Sequence, residues 1–380
     1  MIYKKLNNNN INLPYIIIIM IEITINNVSG ELYKIINVES LSLTYLQVKF
    51  CFCYLNEKYY KILNNNLTIV FLNYNKDFIN ELKINPYNLQ SASDELKNNF
   101  DIVKIAVNTC GYNLRYASDE LKNNFDIVKI AVSNSGNVLQ FASHELKNNF
   151  DIVKIGVNTC RYNLRYASDE LRNNFDIVKI AVSNDADALQ FASDELKNNF
   201  DIVKIAVSNY DLALQYASDE MKNNFDIVKI SVNTYGFALQ YASDEMKNNF
   251  DIVNIAINNN VYSIKFASDT LKNNFDIIKF AVSNDKYGYN LEYASDKLKN
   301  NFDIVKIAVS NNGCSLQFAS KELKNNFDIV KIAVSNNGGA LRFASDELRN
   351  NFDIVKSAVN YNKHALHHAS NEMKKKNCIY

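Results

Sequence analysis

Residues 98–123 read NNFDIVKIAVNTCGYNLRYASDELKN, and nearly the same text returns again and again along the chain. In this stretch Phe100, Ile102, Val103, Ala106 and Val107 fall at the spacing of one helix face. Asn99 stands where an N-cap is wanted, and Asp101 follows in the first turn, where the helix dipole favours an anion. Asp101 and Lys104 are three apart and add a weak surface pair. A turn is expected over the variable residues that follow. Leu114, Ala117 and Leu121 then mark a second apolar face at i, i+3 and i+7. This second part can be read as one helix of about ten residues, or as a helix broken after Ala117, with Ser118 capping a separate turn over 119–122. Two short helices per unit is the favoured reading, and the break is left open.

The dipeptide Ala-Ser sets the period. It recurs from Ala92 to Ala369 at intervals of 25 residues, with one interval of 27 caused by an insertion near 286–289. Residues 74–93 read as a degenerate first half-unit. Helices of about ten residues are marginal alone and become stable when each buries its apolar stripe against a neighbour. The slot of Ala106 is filled only by small residues, among them Gly156, Ser231 and Ala256, as expected where two backbones approach closely. The slot before Ala-Ser accepts Tyr116, Phe141, Tyr166 and Phe191 interchangeably, and this aromatic column reads as core. The sequence therefore predicts an all-α fold: an α-solenoid of about eleven 25-residue two-helix repeats over 74–380, preceded by a small N-terminal cap region over 1–73.

The frame LKNNFDIVKIAVSNNGxALQFASDELKNN resembles a 25-residue helical repeat family, a domain of unknown function found in amoebal giant viruses (mimivirus-like) and protists. The resemblance covers about 74–380. The chain departs from it at the Asn-Asn pair, where the family often has Asn-Asp, and in the last unit at Ser357, His364, His367 and His368. It implies an all-helical repeat protein and no catalytic residues. A genome rich in A and T would account for the excess of Asn, Ile, Lys and Tyr.

Differences between units are confined to the loop and the start of the second helix. Consecutive units would set these segments side by side, about 8–10 Å apart. The resulting edge carries Tyr112, Arg115, Tyr162, Arg165, Asp185 and Asp187. Farther along come Tyr210, Asp211, Tyr235, Phe237, Tyr262, Tyr287 and Tyr289. Tyr and Arg are residues that anchor protein interfaces, so the edge is the candidate binding surface, with drift in solvated loops as the alternative. The function expected is a non-enzymatic protein–protein interaction scaffold with a protein partner.

Lys+Arg 41 against Asp+Glu 41 gives no net charge, which speaks against nucleic acid or an anionic membrane as partner. No phosphate loop, nucleophile elbow or His-Glu-x-x-His is present, so no catalytic residue, metal or cofactor is expected. His144 reads as an exposed substitution, and His364, His367 and His368 as capping of the terminal unit rather than a metal site. Cys51 and Cys53 lack a second pair, while Cys110 and Cys160 sit two units apart, too far for a disulfide. A monomeric protein in a reducing compartment is expected, cytoplasmic, or in the host cytoplasm if viral. The apolar stretch at 15–21 is too short to span a bilayer. Leu13-Pro14 and the run LTYLQVKFCFCYLNEKYYKIL (43–63), read as a Leu-rich helix, faintly resemble a degenerate F-box. That would make the protein a ubiquitin-ligase substrate adaptor, the alternative to a plain scaffold.

With only Gly 9 and Pro 2, the helices must be punctuated by something else. Asn98-Asn99 and its copies are placed to do this, because Asn tolerates the left-handed region and is a preferred N-cap.

Overall fold

The computed structural model describes residues 60–63, 68–71, 82, 85–209 and 212–375. The chain divides into two compact units, Met1–Asn88 and Leu89–Tyr380. In the first, β1 (Tyr60–Leu63) pairs antiparallel with β2 (Thr68–Phe71), Tyr60 opposite Phe71 and Leu63 opposite Thr68. The helix read over 43–63 for the F-box alternative therefore gives way to strand at Tyr60–Leu63, a segment whose Tyr and Ile suit a pleated surface. The stretch at 15–21, Leu13-Pro14, Cys51 and Cys53 lie outside the described residues.

The second unit is an all-α solenoid. From Phe100 onward each repeat has three elements where the favoured reading had two. The first is an α-helix of ten residues such as Phe100–Thr109 (nine at Phe275–Ser283). Next comes a short turn, 3-10 in most units, such as Gly111–Tyr116, and then an α-helix of four residues such as Asp119–Lys122. Long helices of adjacent repeats pack on one another, except that Phe250–Asn259 and Phe275–Ser283 barely touch, and most short turns lie between their own long helix and the next one.

The break at Ala-Ser is real. Ala117 (φ −65°, ψ 158°) and Ser118 (φ −62°, ψ 161°) are both extended. An N-cap needs that conformation, and the Ser118 hydroxyl accepts from the Leu121 amide at 3.2 Å. Stepping out of the helix also turns the Ser118 amide toward the preceding repeat, where it donates to the Lys97 carbonyl at 2.9 Å. A continuous helix would spend that amide on a local bond; the break uses it to join units.

The Asn-Asn pair divides its work differently from the sequence expectation. Asn99 is an N-cap, its side chain accepting from the Ile102 amide at 3.1 Å. Asn98, however, has φ −100° and ψ 1°, outside the left-handed region, and its amide closes the short helix by donating to the Asp94 carbonyl. Its side chain is turned outward to the next repeat. Among the described non-glycine residues only Asn137 is left-handed, at φ 61°.

Ile102, Val103, Ala106, Val107, Leu114, Ala117 and Leu121 form the buried set of one repeat. Phe100 and its copies do not join it. Phe125, for example, keeps 38% of its surface exposed, because it opens the helix on the flank and lies beside the Lys129 ammonium, 5.9 Å from the ring centroid. The Tyr116 column, read as core, is half-buried. Small residues at the Ala106 slot face the inward residue of their own short turn, and a Cβ on Gly156 would come within 3.3 Å of the Asn163 side chain. The neighbouring short turn comes so close that a Cβ on Gly111 would meet the Ala131 carbonyl oxygen at 2.3 Å.

Candidate functional site

The short turns carry the variable residues, and their geometry divides them into inward and outward sets. In Gly111–Tyr116, Gly111, Asn113 and Leu114 are buried, while Tyr112 and Arg115 are exposed. The outward residues meet those of the next repeat. The Tyr112 ring packs edge-on against Phe141 with centroids 6.3 Å apart. The Arg115 guanidinium lies over Tyr116 at 5.1 Å and over Phe141 at 5.7 Å. Tyr116 in turn donates to Gln90 of the preceding repeat at 3.0 Å.

The pattern continues with different residues. Tyr162 packs on Phe191 at 5.9 Å. Arg161, absent from the sequence candidates, stacks over Tyr162 at 4.8 Å, donates to its hydroxyl at 3.0 Å and forms ion pairs with Asp185 and Asp187 of the next repeat. The Tyr162 hydroxyl first, then Asp185, hold the guanidinium above its ordinary range. Asp185 and Asp187 are thus engaged within the protein. Arg165 is exposed. Tyr235, Phe237 and Phe266 form a run of edge-on rings at 5.5 and 5.9 Å, with the Lys265 ammonium over both Phe rings. Tyr210 and Asp211 lie outside the described residues.

The insertion is held to this edge by a dense set of hydrogen bonds. Asp285, 4% exposed, accepts from the amides of Tyr287 (3.0 Å), Gly288 (2.9 Å) and Asn290 (2.5 Å) and from the Tyr262 hydroxyl (3.2 Å). Gly288 has φ +80°, a conformation L side chains rarely adopt, and its carbonyl accepts from Ser315 at 3.1 Å. The loop is pinned on both sides, and it presents Tyr287 and Tyr289 at 59% and 52% exposure. Burial first, and the Asp285 charge next, push the Tyr262 phenol above its usual range.

Sequence reasoning missed the inward half of these turns. Asn113, Asn163 and Asn290 are fully buried, and each donates to the carbonyl at the small-residue slot of its own long helix: Ala106, Gly156 and Ala281. Asn163 also accepts from the Leu139 amide of the preceding repeat at 3.2 Å. The signal was available, since this slot takes Asn, Ser, Ala or Val and never a charge.

Elsewhere, the His364 and His367 rings stack with centroids 6.3 Å apart, and His368 is held below its usual pKa, mainly by burial. No group of three His, Cys, Asp or Glu side chains able to hold a metal occurs among the described residues. His144 is exposed, and Cys110, Cys160 and Cys314 are free thiols. No helix among the described residues is long and apolar enough to cross a membrane.

Ten successive, mostly overlapping segments match the family described as domain of unknown function DUF4116: 75–122, 101–147, 124–172, 149–197, 174–222, 199–247, 224–272, 249–289, 274–324 and 326–374. The chain belongs to the DUF4116 family. A typical DUF4116 match, such as 101–147, spans two consecutive long helices with the short helix after each, so the family frame is a pair of the repeats described above. The match to 249–289 stops inside the insertion. No curated protein and no solved structure matches the chain.

Proposed function

We propose that this DUF4116 chain is a protein–protein interaction scaffold without chemistry of its own, which binds its partner along the edge formed by the variable turns. The observation that carries this reading is that variable residues of consecutive repeats meet across the boundary between them, as Arg161 meets Asp185 and Asp187 and Tyr262 meets Asp285 and Tyr287. Side chains ordered before binding lose less entropy on binding, and Tyr and Arg anchor interfaces well at low rotamer cost. Drifting, solvated loops would have no reason to interlock from one repeat to the next. The absence of net charge fits a protein partner better than nucleic acid, and three free thiols fit a reducing, cytoplasmic compartment.

A photo-crosslinking residue placed at Tyr289 tests the reading in the native cell, with the same residue at exposed Asp119 on the short helices as control. Discrete protein adducts from position 289 and none from 119 are expected. Equal patterns from both would sink the proposal.

A further inference from the structure

Every long helix opens with Phe, from Phe100 to Phe352. Some other exposed slots of the frame are less strict: the Asp119 slot holds His144, Lys321 and Asn371, and the Glu120 slot holds Thr270 and Lys297, while the exposed Asp that follows each Phe is as uniform as the Phe itself. Burial does not explain the uniformity, because the ten rings from Phe125 to Phe352 keep 37–45% of their surface exposed. Neither does the Lys four residues on, whose ammonium sits 5.6–6.0 Å from the ring in ten repeats; Tyr or Trp would serve a cation as well. The contrast with the Tyr116 column is informative. That column is half-buried and exchanges Tyr for Phe freely, whereas the more exposed slot never carries a hydroxyl. A ring facing water would accept one, so this face is covered in the working protein.

We infer that the face carrying these Phe rings pairs two copies of the chain. Three observations select a second copy as the occupant. The face is self-complementary in charge: each repeat exposes an Asp next to its Phe, and nearly all expose a Lys one turn on. Across the shallow groove between neighbouring long helices, Phe275 and Lys279 lie opposite Asp303 and Lys306. Two copies with antiparallel helices set each Asp row against the other copy's Lys row, and a chain of zero net charge does not repel itself. The apolar area is also sufficient. Roughly 40% of ten Phe side chains is about 800 Å², what one partner contributes to a standard interface. Finally, along the run from Phe100 to Phe250, where successive long helices pack alike, a second copy offers rings in the same register by construction. This inference departs from the monomer expected from sequence alone.

Sedimentation equilibrium of the full chain from 1 to about 100 µM, a range that brackets ordinary dimer affinities, tests this. A mass of two chains is expected. The combined variant Phe200→Glu, Phe225→Glu, Phe250→Glu should raise the dissociation constant at least about 100-fold with unchanged circular dichroism. Should that variant lose helix, charge reversal decides. Asp176→Lys, Asp201→Lys and Asp226→Lys together should weaken the dimer about tenfold or more, and adding Lys179→Asp, Lys204→Asp and Lys229→Asp should restore it. A wild-type monomer throughout, a larger assembly, a dimer indifferent to the Phe variant while folded, or charge reversal without rescue would each overturn the inference.

Discussion

The Ser118 hydroxyl donates to the Asn98 side-chain carbonyl at 2.5 Å, joining two repeats across twenty residues of chain. The Asn98 amide nitrogen then donates to Glu120, two residues beyond that serine, at 3.2 Å. The same Ser–Asn bond closes later boundaries, as between Ser268 and Asn248 at 2.6 Å and Ser295 and Asn273 at 2.7 Å. One serine thus caps its own short helix and clasps the preceding repeat. The Ala-Ser dipeptide that sets the period in sequence also fixes the register in space.

Breaking the clasp should cost little and act locally. Asn98→Ala removes two exposed side-chain bonds and is expected to destabilise by about 0.5–1.5 kcal/mol. Asn99→Ala removes the N-cap of Phe100–Thr109 and should cost about 1 kcal/mol. Because each repeat touches only its neighbours, amide hydrogen exchange should accelerate in the two flanking repeats and stay unchanged several repeats away. Uniform acceleration would contradict this. Thr270 stands where other repeats have the clasping Glu, so Thr270→Glu should slow exchange around Asn248.

The buried asparagines should not be equivalent. Asn163 bonds both the Gly156 carbonyl and the Leu139 amide; the carbonyl also accepts from the Cys160 amide, so Asn163→Ala strands the buried Leu139 amide and should cost about 1–3 kcal/mol. Asn113 has a buried side-chain oxygen without a partner, and Asn113→Ala should cost clearly less, since Ala188 fills the same slot elsewhere. Urea denaturation of the two variants in parallel checks the order; the reverse order would show that the inter-repeat bond to Leu139 carries little.

The pinned insertion gives a test by backbone strain and one by pH. Gly288→Ala places a Cβ at φ +80° and 2.7 Å from the Ser315 hydroxyl, and should destabilise the loop by about 1–3 kcal/mol. The Tyr262 phenol has a raised folded-state pKa, so its contribution is fully present below the ordinary value of 10.0 and is lost as pH rises through the higher folded value. In an ultraviolet titration Tyr262 and Tyr293 should both ionise late, and one of the two late steps should vanish in Tyr262→Phe. If both late steps persist, Tyr262 is not the group held by Asp285.

Much of this architecture was legible in the chain because it rests on local rules. Period 25, the Ile102–Val103–Ala106–Val107 stripe and the Asn99 cap all follow from spacing and capping chemistry. Phe100 misled, since helical spacing places it near the apolar face while its position in the first turn puts it on the flank. Asn98 misled because its role lies in the neighbouring repeat, and no rule about one helix sees a bond across twenty residues. On the edge, the outward Tyr and Arg residues were legible by type. That Arg161 ties up Asp185 and Asp187, and that Asn163 points inward, depends on which units become neighbours.

Proximity labelling in the native cell tests edge binding most directly, comparing the wild-type chain with Tyr112→Ser, Tyr162→Ser, Tyr287→Ser, Tyr289→Ser combined. These side chains are exposed, and the Asp285 pin and the Ser–Asn clasps stay in place, so the variant should keep its circular dichroism and melting temperature. The expected result is a defined set of proteins labelled by the wild type and lost in the variant. A folded variant that labels the same set would contradict binding along this edge.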